Sequence, residues 1–293
     1  MKSNQAPPII DISSNLLYFP KKKRFCALNL PIYPGRVIFT DNHVPLLVGA
    51  GLWPFKNCYK VDLYRCTITK FSSLNIGRYN HSVCILDREI YVMGGYVSLN
   101  EEISNVEKFD GRSWVEIQSM HFPRANHTSV SVNNCIYVFG GNNSGCGVEV
   151  FDGSTWSALE LEFASRMREM GACVSGDSVY IVGGYRFALT KMRSVANAYR
   201  FDTQLQSLEV LATLPEPESF ENNGVQCGDT LHFIGKRKSY LYNLHSGEWE
   251  VNEKNSVCRY CLSPECTSTS STCKWEKRKA ALKLFKTLKV TLL

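Results

Sequence analysis

RYNHSVCILDREIYVMGG at residues 78–95 and RANHTSVSVNNCIYVFGG at residues 124–141 are one pattern written twice. Each opens Arg-x-Asn-His, runs through alternating small and apolar residues, breaks at a polar turn and closes on Ile-Tyr-Val-x-Gly-Gly. The second copy follows the first at an offset of 46 residues. Self-similarity at a period of roughly 20–50 residues decides a fold before local propensity does, because each unit buries its apolar face only against the next. Within the first copy, 81–86 reads as a strand, Asp87-Arg88 as a turn, and 90–93 as a second strand, β-branched and aromatic. The glycine pair stops that strand where backbone turns sharply or passes close to another backbone. Val-Glu-Lys-Phe at 106–109, ending in Asp110-Gly111, supplies a third strand and a hairpin signal, and 113–117 a fourth. Four antiparallel strands per unit make one blade of a propeller.

The copies resemble kelch repeats, which carry a diglycine after strand two, Tyr/Phe-Asp on strand three and Trp on strand four. Here those residues are Gly94, Gly95, Phe109, Asp110 and Trp114, then Gly140, Gly141, Phe151, Asp152 and Trp156. A third copy, SVYIVGG, has Gly183, Gly184 and Phe201-Asp202 but no Trp. A fourth, TLHFIGK, keeps Gly235 of the pair and has Trp249. A fifth, at the front, is VPLLVGAG with Val61-Asp62 and Phe71 near the Trp position. The first glycines, at 49, 94, 140, 183 and 235, are spaced by 45, 46, 43 and 52 residues. The resemblance covers residues 33–251 and implies an all-β, kelch-type β-propeller of four-stranded antiparallel blades. Residues 16–30, apolar then basic then apolar, read as the outer hairpin of a further blade, with Lys21–Arg24 as a solvated turn. Five full repeats plus that half-blade predict six blades, the missing inner strands coming from beyond 251, at 256–262. The expected organisation is a disordered 1–12, a propeller over 13–251, and a Cys-rich, then basic and amphipathic, tail over 252–293.

The net charge of +6 is concentrated in that tail, where residues 252–293 hold nine Lys/Arg against three Asp/Glu. The propeller is therefore not basic overall, and no nucleic-acid partner is expected for it. No run of 18 apolar residues marks a membrane span, and the first fifteen residues carry no secretory signal. Among twelve cysteines, Cys84, Cys135 and Cys173 fall inside expected strands. They read as free, core-filling thiols of a reducing, cytoplasmic compartment. Cys258, Cys261, Cys266 and Cys273 are spaced like a zinc knuckle with Cys in place of His, a candidate tetrahedral zinc set. Otherwise no metal or cofactor is expected.

The sequence holds no G-x-S-x-G, H-E-x-x-H or G-x-x-x-x-G-K-[ST] pattern, and no catalytic residue is assigned. His81 and His127 occupy equivalent repeat positions, which gives them a structural reading. What remains is a surface. In this kind of propeller the connections from strand four to the next strand one open on the same face as the loops after the glycine pairs. That rim gathers Arg78, Tyr79, Asn80, Tyr96, Arg124, Asn126, Asn142, Asn143, Arg168, Tyr185 and Arg186 as expected partner contacts. Arg and Tyr are favoured interface anchors, and guanidinium groups fork carboxylates, which suits an acidic peptide degron. The resemblance implies a protein-interaction module: a substrate adaptor of cullin-RING ubiquitin ligases, or an actin binder. The adaptors carry BTB and BACK domains ahead of the propeller, and no such region precedes the hairpin at 16–30. The alternative is an enzyme on the same scaffold, a copper oxidase or a sugar isomerase.

Overall fold

The computed structural model describes residues 9–11, 16–19, 24–27, 36–39, 45–50, 55–62, 67–142, 147–159, 161, 167–188, 191–220, 223–235, 238–253 and 257–258. Among them every regular element is a strand. The front supplies β1 (Ile9–Asp11), β2 (Leu16–Phe19) and β3 (Arg24–Ala27). The first repeat is β4 (Arg36–Phe39), β5 (Pro45–Ala50), β6 (Asn57–Asp62) and β7 (Thr67–Lys70). The second is β8 (Ser82–Leu86), β9 (Glu89–Met93), the short hairpin β10 (Tyr96–Ser98) and β11 (Glu101–Glu102), then β12 (Val106–Phe109) and β13 (Trp114–Ile117). The third is β14 (Thr128–Val132), β15 (Cys135–Phe139), β16 (Val148–Phe151) and β17 (Trp156–Leu159). The fourth is β18 (Met167–Arg168), β19 (Gly171–Ser175), β20 (Ser178–Val182), the hairpin β21 (Tyr185–Ala188) and β22 (Lys191–Ser194), then β23 (Ala198–Asp202) and β24 (Ser207–Val210). The fifth is β25 (Val225–Cys227), β26 (Thr230–Ile234), β27 (Lys238–Asn243) and β28 (Trp249–Glu253), followed by β29 (Val257–Cys258).

Each of the five repeats is one four-stranded antiparallel meander, as the sequence pattern requires. In the second and third repeats the first reversal is a two-residue turn with both residues at positive φ: Asp87 and Arg88 at 51° and 67°, Asn133 and Asn134 at 52° and 57°. That twist matches the right-handed twist of the flanking strands. The first strands β4, β8, β14, β19 and β25 neighbour one another in chain order. Apolar side chains fill the spaces between successive sheets. Leu46, Val48 and Cys58 of the first repeat pack on Ile90, Val92 and Trp114 of the second. Tyr91, Met93 and Val106 pack on Ile136, Val138 and Trp156 of the third. Phe139 and Val150 meet Ile181 and Phe201 of the fourth, and Cys173 and Val182 meet Phe233 and Tyr240 of the fifth. This layering explains why β9 and β15 read as continuous apolar runs: both faces are covered by neighbouring sheets.

Two devices stitch neighbouring sheets. Each described indole reaches back to the connection before its own repeat: Trp114 Nε1 donates to the Ser72 carbonyl at 3.1 Å, Trp156 to Gln118 at 3.0 Å and Trp249 to Ala212 at 2.8 Å. A backbone belt joins the lead-in loops before the first strands. The Asn126 N–H donates to the Asn80 carbonyl at 2.9 Å, Glu169 to Asn126 at 2.9 Å and Phe220 to Glu169 at 2.8 Å.

The front differs from expectation in three ways. A strand, β1, lies within the segment expected to be disordered; its isoleucines are β-branched, and their backbone pairs with Leu17 and Tyr18. The chain beyond 251 does join the front sheet, within the expected 256–262. However, β29 lies at the end of that sheet beside β3 and runs parallel to it, with Val257 opposite Phe25. It therefore supplies one strand rather than two, and the sheet order is β1-β2-β3-β29. No helix among the described residues is long and apolar enough to cross a membrane.

Candidate functional site

The glycine pairs set the geometry of the loop face. At Gly94 (φ 59°) an added Cβ would collide with the Arg124 carbonyl oxygen, and at Gly140 (φ 68°) with that of Met167. Only glycine permits that approach at that φ. The second glycine then clamps the neighbouring sheet: Gly95 N–H donates to Arg124 O at 2.9 Å, Gly141 to Met167 at 2.8 Å and Gly184 to Glu218 at 2.7 Å. The chain leaves the pair alongside its own lead-in loop. Tyr96 and Tyr79 exchange backbone bonds of 2.8 and 3.0 Å, Asn142 N–H donates to Ala125 O at 3.1 Å, and Arg168 pairs with Tyr185.

These pairings align a strip of side chains across successive sheets. Phe55 lies against Tyr79 (centroids 5.7 Å), and Tyr79 stacks on Tyr96 at 5.2 Å and 29°. The Tyr79 hydroxyl donates to Ser98 O at 3.1 Å. The Asn142 side-chain amide donates to the Tyr96 hydroxyl. Its Oδ1 accepts Arg168 Nη1 at 3.2 Å and Asn126 Nδ2 at 3.3 Å. Burial, then the Glu102 carboxylate that its hydroxyl bonds, raises the Tyr96 pKa, so the phenol stays a neutral donor. Tyr79, Tyr96, Asn142, Arg168 and Tyr185 are half-buried, and Asn80 and Arg186 exposed. The result is an aromatic platform at one end and a guanidinium at the other, tied together through one amide.

Arg78 and Arg124 are not part of that surface, which corrects the sequence expectation. Both side chains are 0% exposed and ion-paired inside their own sheets, Arg78 Nη2 to Glu107 Oε1 at 2.8 Å and Arg124 Nη2 to Glu149 Oε1 at 2.7 Å. Arg78 Nη1 also donates to the Gly94 and Asn105 carbonyls at 3.0 and 2.7 Å, and Arg124 Nη1 to Gly140 at 2.6 Å. The carboxylates are filled in turn: Glu107 accepts the Asn75 and Ile76 N–H groups, Glu149 those of His121 and Phe122. Each arginine thus latches the diglycine exit to the third strand of its own sheet, and neither can fork a partner's carboxylate. Asn126 is likewise buried, its φ of 57° set by the belt. Asn143, Cys261, Cys266 and Cys273 lie outside the described residues, and of Cys258 only the backbone is described.

Sequence reasoning missed Phe55, Ser98 and Glu102, which join the strip only through the fold. It also missed Glu107 and Glu149, although a signal existed: Val-Glu-x-Phe recurs at 106–109 and 148–151. Two histidines lie buried behind the strip. Burial, then the Arg36 and Arg78 guanidiniums, hold His81 well below the usual imidazole value, and burial, Arg124 and Arg36 do the same for His127. His127 Nε2 is 2.7 Å from Ser82 Oγ, but both residues are buried, so the pair is closed to substrate. Burial pushes the Cys58 thiol up to about 11 and those of Cys84 and Cys173 to about 12, which leaves them inert fillers. No group of three or more His, Cys, Asp or Glu among the described residues could hold a metal ion.

Four-stranded antiparallel sheets stacked in chain order by their first strands define a β-propeller. The kelch motif matches residues 77–121, 123–159 and 166–215, the second to fourth repeats. The chain is similar to Kelch-like protein 26 of Danio rerio, 28% identical over 54% of this chain and 27% of that protein. It is similar to Kelch-like protein 35 of Mus musculus, 26% identical over 86% of this chain and 44% of that protein. An F-box/kelch-repeat protein of Arabidopsis thaliana is 26% identical over 53% of this chain and 40% of its own length. The matched motifs and these similarities support a kelch-repeat family for the chain. It spans less than half the length of each of these relatives.

Proposed function

We propose that this kelch-repeat interaction module holds its partner on the strip running from Phe55 and Tyr79 through Tyr96 and Asn142 to Arg168, with no catalytic step of its own. The observation that carries the reading is the direct coupling of those side chains across neighbouring sheets: one platform, pre-organised by backbone bridges, with hydrogen-bonding groups aimed along it. Rigid aromatic groups and a half-buried guanidinium lose little freedom on binding, which favours affinity. The partner is a protein segment, and an acidic one fits Arg168 and the exposed Arg186. Presentation of that segment as a ligase substrate, in the manner of cullin-RING adaptors, is the finer reading; actin binding is the other one that the kelch resemblance offers. Buried free thiols at Cys58, Cys84 and Cys173 accord with a reducing, cytoplasmic compartment.

The test is quantitative proximity labelling by the wild type against a Tyr79→Ala/Arg168→Ala double variant, with circular dichroism to establish that both fold. Loss of a defined set of labelled proteins in the folded double variant is expected. An unchanged set would overturn the reading. Substitution of Arg78 or Arg124 reports stability instead, because both are interior.

A further inference from the structure

The hairpin β21–β22 carries charge that nothing described in the protein neutralises. Arg186 lies directly across from Arg193, and Ala188 across from Lys191. Alternation along the strands places Arg186, Lys191 and Arg193 on one face, all exposed, while Tyr185, Met192 and Ser194 are half-buried on the other. Like charges directly opposite each other, with Cβ atoms about 5 Å apart, destabilise an antiparallel pair. No carboxylate among the described residues forms an ion pair with any of the three cations. Nor does the repeat demand them, since the corresponding hairpin of the second repeat, β10–β11, carries Glu101 and Glu102. The hairpin also ends its small sheet: β22 pairs with β21 alone, and β21 pairs with β18, whose Arg168 belongs to the strip.

We propose that the outward face of β21–β22 binds a phosphorylated side chain of a partner protein. The phosphoryl group sits between the guanidiniums of Arg186 and Arg193, with the Lys191 ammonium as a third donor. The proposal rests on the interaction-module reading above and adds the chemistry of the partner. A carboxylate carries a single negative charge on its two oxygens. Two guanidiniums from facing strands, plus an ammonium, outnumber that charge threefold. They match a group of about −2 charge with three acceptor oxygens. The hairpin adjoins the strip through its pairing with β18, which carries Arg168.

The probe is an array of degenerate peptides that share one fixed central residue: phosphoserine, aspartate or unmodified serine. The full chain is applied alongside an Arg186→Thr/Arg193→Thr variant. Threonine suits a strand, and removal of the like-charged pair leaves the variant at least as thermally stable as the wild type. The phosphoserine set is expected to retain the wild type on the order of tenfold better than either other set, with the preference lost in the variant, the factor expected for a charge-assisted bond. Equal retention by all three sets overturns the proposal, as does an unchanged preference in the variant. Equal retention by phosphoserine and aspartate assigns the face to acidic runs and overturns it too. Binding to phosphatidylserine vesicles without any phosphopeptide preference places a membrane there instead. If the preference is absent while the Tyr79→Ala/Arg168→Ala variant still loses its labelled set, only this proposal fails and the module reading stands.

Discussion

The Arg124–Glu149 and Arg78–Glu107 pairs are fully buried, and the fourth repeat shows what replaces them. There Met167 stands where Arg124 does, and Tyr199, opposite Ile181 as Glu149 is opposite Val138, takes the carboxylate's place. The fold therefore accepts the site without an ion pair, and the cost of a lone substitution lies in the stranded partner. Arg124→Met is expected to destabilise by about 3–5 kcal/mol, because Glu149 is left without its ion partner in a dry site. Arg124→Met/Glu149→Gln removes that carboxylate yet keeps an acceptor for the His121 N–H, and is expected to recover more than half of the loss in urea titration. A double variant no better than the single would place the energy in the bonds to Gly140 instead. The buried imidazoles make a second residue-level prediction. His81 and His127 have pKa values held down in the folded state by burial and by Arg36, Arg78 and Arg124. Below about pH 6.5 the unfolded chain binds more protons than the folded one, so stability falls as pH falls. Met170 occupies the equivalent site in the fourth repeat, its Cε against Gly140 as the His81 ring lies against Gly49. A His81→Met/His127→Met variant should show a flatter fall in melting temperature between pH 7.5 and about pH 5.5; a parallel profile would rule out these two groups as the cause.

Among the elements, the four strands of the second repeat were readable to within a residue, because short β-branched runs bounded by a polar turn and a glycine pair admit one assignment. The chemistry of the rim was less readable. Arg78 and Arg124 looked like surface anchors because a buried arginine is visible only through its carboxylate, and Glu107 and Glu149 lie 29 and 25 residues downstream. The hairpins β10–β11 and β21–β22 were hidden as strands, since runs of two to four residues are too short to establish a periodicity. The lead-in loops hold one feature that propensity flags. Asn80, Asn126 and Glu169 all occupy left-handed backbone, at φ 53°, 57° and 53°, at the three successive links of the belt. Asparagine tolerates that conformation and glutamate does so at a cost of roughly 1–2 kcal/mol. Glu169→Asn brings the third link into line with the first two and should raise the melting temperature by about 2 °C. A lowered value would mean that the Glu169 side chain contributes more than its backbone strain removes.

On the scale of the whole molecule, stability is distributed along a series of nearest-neighbour layers, each sheet sharing apolar residues with the one before and the one after. Architectures of that kind are weakest at their ends, where a terminal unit has one neighbour and frays first. The front sheet answers this with chain from both ends, β1 to β3 from the start and β29 from beyond the fifth repeat. Three antiparallel strands there are closed on the β3 edge by a parallel one, which lies some 230 residues away along the chain, Val257 against Phe25. Such a contact forms only after the intervening repeats have stacked, because closing a long loop has an entropic cost that local pairing does not. β29 is therefore expected to report completion of the whole stack. Ending the chain at residue 253 should raise amide exchange over Arg24–Ala27 at least about tenfold, as one edge of β3 loses its cover, while β14 to β17 in the middle of the stack keep their protection. Exchange over Arg24–Ala27 that stays as slow as in the intact chain would mean that β29 rests on a sheet already complete without it.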